Sequence, residues 1–442
     1  MKTPSMEEIV SLCKRRGFIF PGSEIYGGLA GTFDYGPLGV ALKDNIKRLW
    51  WKAFVDDRDD MYGVDAAILM NPKVWEASGH VVGFSDPLVE CSNCHKRFRA
   101  DHLDSLEVCP SCGKKGTLGE ARQFNMMFAT KAGAMEDDSA TVYLRPETAA
   151  GMFVNFKNVI DSFHPKLPFG LAQIGKAFRN EIAPRDFIFR LRELEQMEVE
   201  YFVKPDGWEA AFAEWQKMMH EYAKTIGLPA EHVHELEVPD GDRAHYSKRT
   251  IDFEFDYPFG RKELWGLAYR TDFDLSAHQN GSSVSLEYLD EETKERFVPH
   301  VIEPSLGVDR TFLAVMISAY DEDELGGEKR SVLRFDPKVA PIKAMVSPLL
   351  KNKPELVEKA REVRAQLRKA HPAIAWDDNG NIGKRYRRQD EIGTPWCITI
   401  DFDTLGETPD LKDTVTLRDR DTGEQERLSI DEVAERIKNA LN

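Results

Sequence analysis

FRNEIAPRDFIFRLRELEQMEVEYF, residues 178–202, is the stretch around which the other 442-residue patterns fall into place. It opens Phe178-Arg179-Asn180-Glu181, is interrupted at Pro184-Arg185-Asp186, and returns through alternating residues from Phe187 to Phe202. Aromatic and β-branched residues in alternation favour strands, and a Pro-Arg-Asp step breaks them, so the spacing predicts a β-hairpin. Arg179 and Arg192 then lie near its base, with Glu181, Glu193 and Glu198 beside them. Guanidinium forks match phosphate oxygens two at a time, whereas carboxylates suit a magnesium ion or an ammonium group. On an arbitrary surface hairpin the same residues would be no more than ion pairs, so their meaning depends on what surrounds them.

Bulk properties narrow the classes. With 442 residues, 42% hydrophobic and 30% charged, the chain has room for two or three domains and a large core. No apolar run approaches the roughly 18 residues of a membrane span. The opening MKTPSMEEIV lacks the basic-then-apolar layout of a secretory leader, so a cytoplasmic location and no membrane partner are expected. A net charge of −16 argues against coating nucleic acid by overall positive potential. Local basic patches stay open, because phosphates respond to potential within about a Debye length of 8–10 Å.

Residues 5–20 read as a short amphipathic helix with Ile9, Val10, Leu12 and Cys13 on its apolar side, followed by a Gly-rich turn at 26–39. Pro37 suits the first turn of a helix, in which Leu42, Ile46, Leu49, Trp50 and Ala53 form one stripe to about Phe54. Val64 to Met70 reads as a strand ending at Asn71-Pro72. Between 91 and 112, Cys91 and Cys94 are separated by fourteen residues from Cys109 and Cys112. Paired CxxC knuckles at this spacing point to a closed structural Zn2+ site with four thiolates at about 2.3 Å, within a module over 88–118. His95 and His102 are alternative ligands that four cysteines make unnecessary.

VYLRPETAAGMFVNF, 142–156, predicts strand, turn and helix, with Glu147 at the helix start, where the dipole favours a carboxylate. A helix over 206–226, a polar connection over 229–245 and an antiparallel meander over 251–278 come next. His300 to Tyr320 gives a strand, a glycine and an apolar helix opened by Asp309 and Arg310. An arginine in a first helical turn opposes the dipole and calls for an anionic ligand. Prolines at 335–341 mark a boundary between parts 1–335 and 336–442. The second part alternates β and α, with a helix over 354–370, a strand at WCITIDFD and a final helix from Ser429. Lys384, Arg385, Arg387 and Arg388 surround Tyr386 there. Such a cluster suits a single-stranded RNA loop through phosphate contacts and stacking, and equally a solvated charge run.

The Phe-Arg-x-Glu opening and Arg-Glu-hydrophobic return resemble motif 2 of the class II aminoacyl-tRNA synthetases. The helix, strand and proline before Pro72 resemble motif 1, and Gly307-x-x-Arg310 after a Glu-bearing strand resembles motif 3. Arg145-Pro-Glu-Thr-Ala and Ile302-Glu-Pro-Ser-x-Gly are similar to segments of the homodimeric glycyl-tRNA synthetases, a resemblance spanning nearly the whole chain. It implies an α+β fold: an antiparallel catalytic sheet flanked by helices (1–335), a zinc-knuckle insertion, and a C-terminal mixed α/β anticodon-binding domain (336–442). It also implies a homodimer that joins glycine to tRNA(Gly) through a glycyl-adenylate, using ATP and Mg2+.

On that resemblance Arg179, Glu181 and Arg310 are catalytic. ATP would be held by these with Asn180, Phe189, Arg192, Glu193, Leu194, Glu263, Leu264 and Gly307. Arg99, Glu147, Gln196, Glu198, Glu303, Ser305 and Gly307 would bind glycine, and Arg385, Arg387 and Arg388 tRNA. Three positions depart from the family pattern. Ala150 replaces a glutamine and Leu306 an alanine, which would tighten the pocket wall. Leu194 replaces the phenylalanine on which adenine stacks, a loss of about 1 kcal/mol. A paralogue activating alanine or serine, or a non-catalytic RNA-binding relative, is the alternative; the second predicts loss of a motif arginine, and both are present.

Overall fold

The structure, a computed structural model, describes residues 4–134 and 137–441, so the first three residues of the stretch read for a leader lie outside it. Helix α1 (Met6–Arg16) begins with a reciprocal Ser5–Glu8 cap and ends at Gly17 with φ 74°. It buries Ile9, Leu12 and Cys13 but exposes Val10, because its contact with the core is one narrow stripe. Helix α2 (Pro37–Trp51) starts on Pro37 and runs into a π-turn over Lys52–Asp56. Leu42, Ile46, Trp50 and Phe54 bury one face of it, with Trp50 and Phe54 stacked at 5.2 Å.

A seven-stranded sheet fills the centre. Its strands are β1 (Met61–Gly63), β2 (Phe169–Phe178), β3 (Glu193–Val203), β4 (Val233–Glu237), β5 (Arg249–Tyr257), β6 (Gly260–Thr271) and β7 (His300–Gly307). They lie in the order β4-β5-β6-β7-β3-β2-β1, antiparallel except where β1 runs parallel to β2. Strand side chains alternate between faces. Met197, Val199 and Leu306 join the main core, with buried residues of α2, α4 (Trp208–Thr225) and α6 (Val308–Ala319). The opposite face carries small and polar residues, and its far end is covered by Phe153, Phe156 and Leu275 from α3 (Ala149–Phe163) and α5 (Phe273–Ser282). Register sets Glu198 opposite Ser305 and Gln173, and Gln196 opposite Gly307 and Gly175. A row of polar groups thus crosses the middle of the sheet.

Four local expectations give way to the tertiary structure. The hairpin of 178–202 exists, but Phe187–Phe189 is a 3-10 turn whose Ile188 plugs into the core, and the return strand starts only at Glu193. The strand expected over 64–70 does not form: β1 ends before it at Gly63, the Ala66 carbonyl accepts from Arg145 Nη1 at 2.7 Å instead of joining a ladder, and only Leu69 bridges to Leu144. Asn71 then caps a helix over Pro72–Ala77. The polar connection at 229–245 contains β4, an edge strand whose outward charges disguise it. The chain leaves the meander after Thr271 to form α5.

The C-terminal part has its own sheet and core. Strands β8 (Ala344–Pro348), β9 (Ile374–Trp376), β10 (Trp396–Ile400), β11 (Thr414–Asp419) and β12 (Gln425–Ser429) lie in the order β9-β8-β10-β11-β12. The central β8 is parallel to both neighbours, as βα alternation requires. Helices α7 (Pro354–Ala370), α8 (Ile382–Glu391) and α9 (Ile430–Leu441) complete it.

Candidate active site

A pocket opens on the polar face of the large sheet, and a cluster of buried carboxyls adjoins it through Gln196 and Ser305. The pocket is a cavity of about 160 Å3 lined by Arg179, Glu181, Phe189, Leu194, Gln196, Glu263, Leu264, Ser305, Gly307 and Arg310, among others. Arg179 Nε donates to the Pro146 carbonyl at 3.0 Å, and its guanidinium lies 5.5 Å from the Phe84 ring centroid. Arg310 lies over the Phe189 ring at 4.5 Å and pairs with Glu263 at 3.1 Å, so a side chain of the protein already supplies the anion its helical position calls for. Arg310 in turn holds the Glu263 carboxyl below its ordinary range. Glu181 is buried and accepts from Arg190 at 3.2 Å.

Three of the expected nucleotide residues do not line this cavity. Arg192 braces two loops, donating to the Ala30 carbonyl at 2.7 Å and the Glu181 carbonyl at 3.1 Å. Gly31 permits that approach: its φ is +77°, and a Cβ there would meet Pro184 at 2.7 Å. Glu193 pairs with Lys176 at 2.9 Å, and Asn180 donates its backbone N–H to the Met126 carbonyl. Leu306 is fully buried in the main core on the face opposite Ser305, so it fills the core and leaves the pocket wall unchanged. Ala150 packs with Trp75 and Met127.

The adjoining cluster is acidic. Glu198 accepts from Ser305 Oγ at 2.6 Å, Gln196 Nε2 at 2.7 Å, the Thr148 N–H at 3.2 Å and the Thr148 hydroxyl. Among the described residues Gln196 Oε1 has no partner although buried. Glu147 meets His80 Nε2 at 3.3 Å. Burial works against the Glu147 charge, but His80, Arg270 and Arg179 together hold its pKa down to about 2. Burial, then the neighbouring Glu147, push Glu198 upward against its hydrogen bonds. Burial, against the pull of Arg270 and with Glu198 and Glu147 nearby, raises Glu303 to about 8. This cluster concentrates more carboxyls than its own cations neutralise, and a small cation would relieve it.

Its supporting residues escaped sequence reading. Arg270, 1% exposed, holds Asp274 through 2.7 and 2.8 Å bonds and Glu303 at 2.8 Å, and it lies 3.7 Å from the Tyr246 ring centroid. The available signal was a lone arginine ending the apolar run of β6. Arg145 crosses Gly175 so closely that a Cβ there would lie 2.3 Å from its Nη2. Asp252 faces Gly266, itself opposite Ser305, and burial followed by Glu263 and Glu254 raises its pKa to about 7. Asp309 accepts from the Glu195 N–H at 2.8 Å, from the Tyr35 hydroxyl, and from Lys43 at 3.4 Å, fixing α6 against β3 and α2.

The sulfur atoms of Cys91, Cys94, Cys109 and Cys112 all lie within 4.8 Å of one another. Cys91 and Cys112 are 3.8 Å apart and Cys94 and Cys109 3.7 Å, which fits the roughly 3.8 Å edge of a tetrahedron with 2.3 Å Zn–S bonds. His95 and His102 stay outside that group. The three-stranded sheet of Ser85–Glu90, Arg97–Arg99 and Arg122–Asn125 carries the module. Arg99 on it pairs with Asp86 at 2.7 Å and Asp101 at 2.6 Å, within electrostatic reach of Glu181.

In the C-terminal part the basic cluster forms α8. Arg385 is buried and bonded to Ser347, the Pro348 carbonyl and the Gly380 carbonyl, so it is a structural residue and not an RNA grip. Arg388 forks onto Asp377 at 2.9 and 2.8 Å, and Arg387 reaches Glu328 at 3.2 Å. Tyr386 donates to or accepts from Thr399 at 2.7 Å and lies under Arg418.

Comparison with known proteins follows the same division. Residues 128–320 match the tRNA synthetase class II core domain (G, H, P, S and T), and residues 343–440 match the anticodon binding domain. The chain is 49% identical over 463 aligned positions to a glycine–tRNA ligase of Thermobifida fusca, covering 100% of this chain and 99% of that one. It is 51% identical to one of Lachnospira eligens, over 96% of each chain, and 50% identical to one of Geobacillus thermodenitrificans, over 97% and 96%. No described helix is long and apolar enough to cross a membrane.

Proposed function

The chain belongs to the glycine–tRNA ligases of synthetase class II, and from that premise we propose how its residues divide the work. It joins glycine to tRNA in two steps. A carboxylate oxygen of glycine attacks the α-phosphorus of ATP; the bond from that phosphorus to the β-bridging oxygen breaks, and its electron pair leaves with pyrophosphate. The tRNA 3′-terminal hydroxyl then displaces AMP from the glycyl-adenylate.

One observation carries the assignment: Arg179 links the nucleotide cavity to the carboxyl cluster. It lines the cavity, and its charge also acts on Glu147 and Glu198. An ammonium held by Glu147 and Glu198 would put its own carboxylate next to that guanidinium, where the α-phosphate must also come. Positioned cations serve such a transfer, in which charge spreads over phosphoryl oxygens and no covalent nucleophile is needed. Arg310 serves the γ-phosphate, and the orphan Gln196 Oε1 accepts from the ammonium. Leu194 and Phe189 offer apolar surface to adenine. Mg2+, used by the family with ATP, would be held from the protein side by Glu263 and would neutralise phosphate charge. Glu303, Ser305 and their supporting Arg270 close the space beyond the glycine α-carbon, and steric exclusion of a methyl removes the need for editing.

The four cysteines hold a structural zinc. Residues 1–335 form the catalytic domain and 336–442 the anticodon-binding domain, with Arg387 and Arg388 facing the tRNA(Gly) anticodon arm. Two copies pair through surface that leaves Val82 and Phe163 exposed on a single chain, and the enzyme works in the cytoplasm. The decisive experiment is ATP–pyrophosphate exchange with each of the twenty amino acids, with magnesium and without tRNA. Exchange confined to glycine is expected. Exchange with alanine or serine instead would replace the substrate, and none with any amino acid would remove the activation step.

A further inference from the structure

The nucleotide cavity does not end at Arg310. Beyond it a second cleft of about 380 Å3 shares Phe189, Arg190, Glu263 and Arg310 with the first and adds Arg185 and Lys262. Four cations therefore face two carboxylates, Glu263 and Asp186, in a chain whose net charge is −16. Two of those cations are barely engaged. Among the described residues the Lys262 side chain makes no hydrogen bond or ion pair, and the Arg185 side chain only touches Asp186 at 3.4 Å and His102 Nδ1 at 3.5 Å. The loop presenting Arg185 is strained: Asp186 and Phe187 follow with φ of 60° and 58°, a region non-glycine residues avoid. His102 lines the cleft as well, and burial first, then the charges of Arg99, Arg190 and Arg185 against that of Asp101, lower its pKa.

We propose that this cleft receives inorganic pyrophosphate as it leaves the adenylation step, with Arg185 and Lys262 as pyrophosphate-binding residues. The inference rests on ATP occupying the first cavity with its γ-phosphate at Arg310. A short polyanion fits what is seen, since cations from the loop after β2 and from the start of β6 converge on one concavity continuous with that arginine. An RNA strand would ask for a track and free ring faces. The rings here, Phe189, Tyr257 and Phe259, are packed on one another at 5.1 Å. Ammonium and guanidinium groups bind phosphate oxygens strongly because both partners are charged.

The test is tRNA-free exchange with pyrophosphate titrated at saturating ATP and glycine, beside calorimetric titration of the protein with inorganic pyrophosphate. Arg185→Ala with Lys262→Ala should raise the KM and Kd for pyrophosphate about tenfold. The KM for ATP should stay within about twofold, and Arg185→Lys should restore part of the loss. A folded double variant with the parental pyrophosphate KM and Kd would overturn the assignment; if that variant also charged tRNA poorly, the cations would belong to an RNA contact. A parent that binds pyrophosphate through these two residues yet catalyses no exchange would keep the cleft and remove the nucleotide reading beneath it.

Discussion

Among the described residues the Arg179 side chain makes one hydrogen bond, to the Pro146 carbonyl, so its removal should be felt in chemistry and not in folding. Arg179→Ala is expected to lower the exchange rate about 10²- to 10³-fold, the size of losing one preorganised charge-stabilising group. The urea midpoint should not move, and Arg179→Lys should recover little, because a point charge lacks the fork. Glu303 predicts a pH dependence. With its pKa raised to about 8 by burial, against Arg270 and beside Glu198 and Glu147, it holds a proton at neutral pH in the free protein. Ammonium binding favours the ionised carboxylate, so glycine binding should release a proton and the glycine KM should fall as pH rises from about 6 to about 8. Glu303→Gln should bind glycine weakly and flatten that profile; a wild-type KM independent of pH would count against it. These carboxyls were legible as candidates through the family resemblance. Their protonation was not, because it depends on burial and on Arg270, which sequence spacing does not distinguish from exposure and a surface charge.

At the scale of elements, the knuckle module hangs on its cysteines. The sheet that carries it is small, and metal-ligand bonds supply folding energy that such a sheet lacks. Changing Cys91 and Cys109 to Ser should release about one zinc per chain by metal analysis. It should also free Arg99 and His102 from their places beside the nucleotide cavity. An unchanged chain with no zinc in the parent would end this account. Helix α6 depends on a different device. Asp309 is 5% exposed and gathers Tyr35, Lys43 and the Glu195 N–H, three elements on one carboxylate. Asp309→Ala leaves buried Lys43 with only Glu195, at 2.8 Å, and should destabilise by about 3–5 kcal/mol in urea unfolding. Because Arg310 is the next residue, exchange should fall as well. This hub was read in sequence only as a helix-opening acid; its partners are distant in the chain, and no local period announces them.

Across the whole molecule, periodicity disclosed what is repeated and missed what is not. The helices at 37–54, 208–225 and 354–370 and the strand–glycine–helix at 300–320 follow from apolar stripes and alternation, whereas the antiparallel sheet came from the family resemblance. The edge strand at 233–237 went unseen because its outward charges resemble a loop, and Arg385 because a helix of charges gives the same pattern whether buried or wet. The same blindness hid the junction with the C-terminal part. Asp390, 0% exposed, accepts from Arg330 at 2.8 Å and from Arg418 at 2.7 and 3.0 Å, tying α8 to the Tyr320–Leu325/Glu328–Leu333 hairpin and to β11. Its neighbour Glu391 accepts from Arg15 and Arg16 at the end of α1, where Gly17 and Phe18 lead back to Tyr35 and Asp309 through the Gly36 contact. Helix α8 is thereby fastened on one side to the C-terminal sheet and on the other to the element that positions Arg310. Removing the Asp390 carboxylate strands the buried Arg418 guanidinium and leaves Arg330 held by Asp323 alone among carboxylates, a loss of about 3–5 kcal/mol that falls on the junction. Asp390→Ala should therefore lower and split the calorimetric unfolding transition. Glycine-dependent exchange, which needs only the large sheet, should stay within about twofold while tRNA charging falls tenfold or more. Equal loss of both activities would mean that the junction shapes the catalytic pocket itself, and an unsplit transition would mean that α8 is held by its apolar contacts instead.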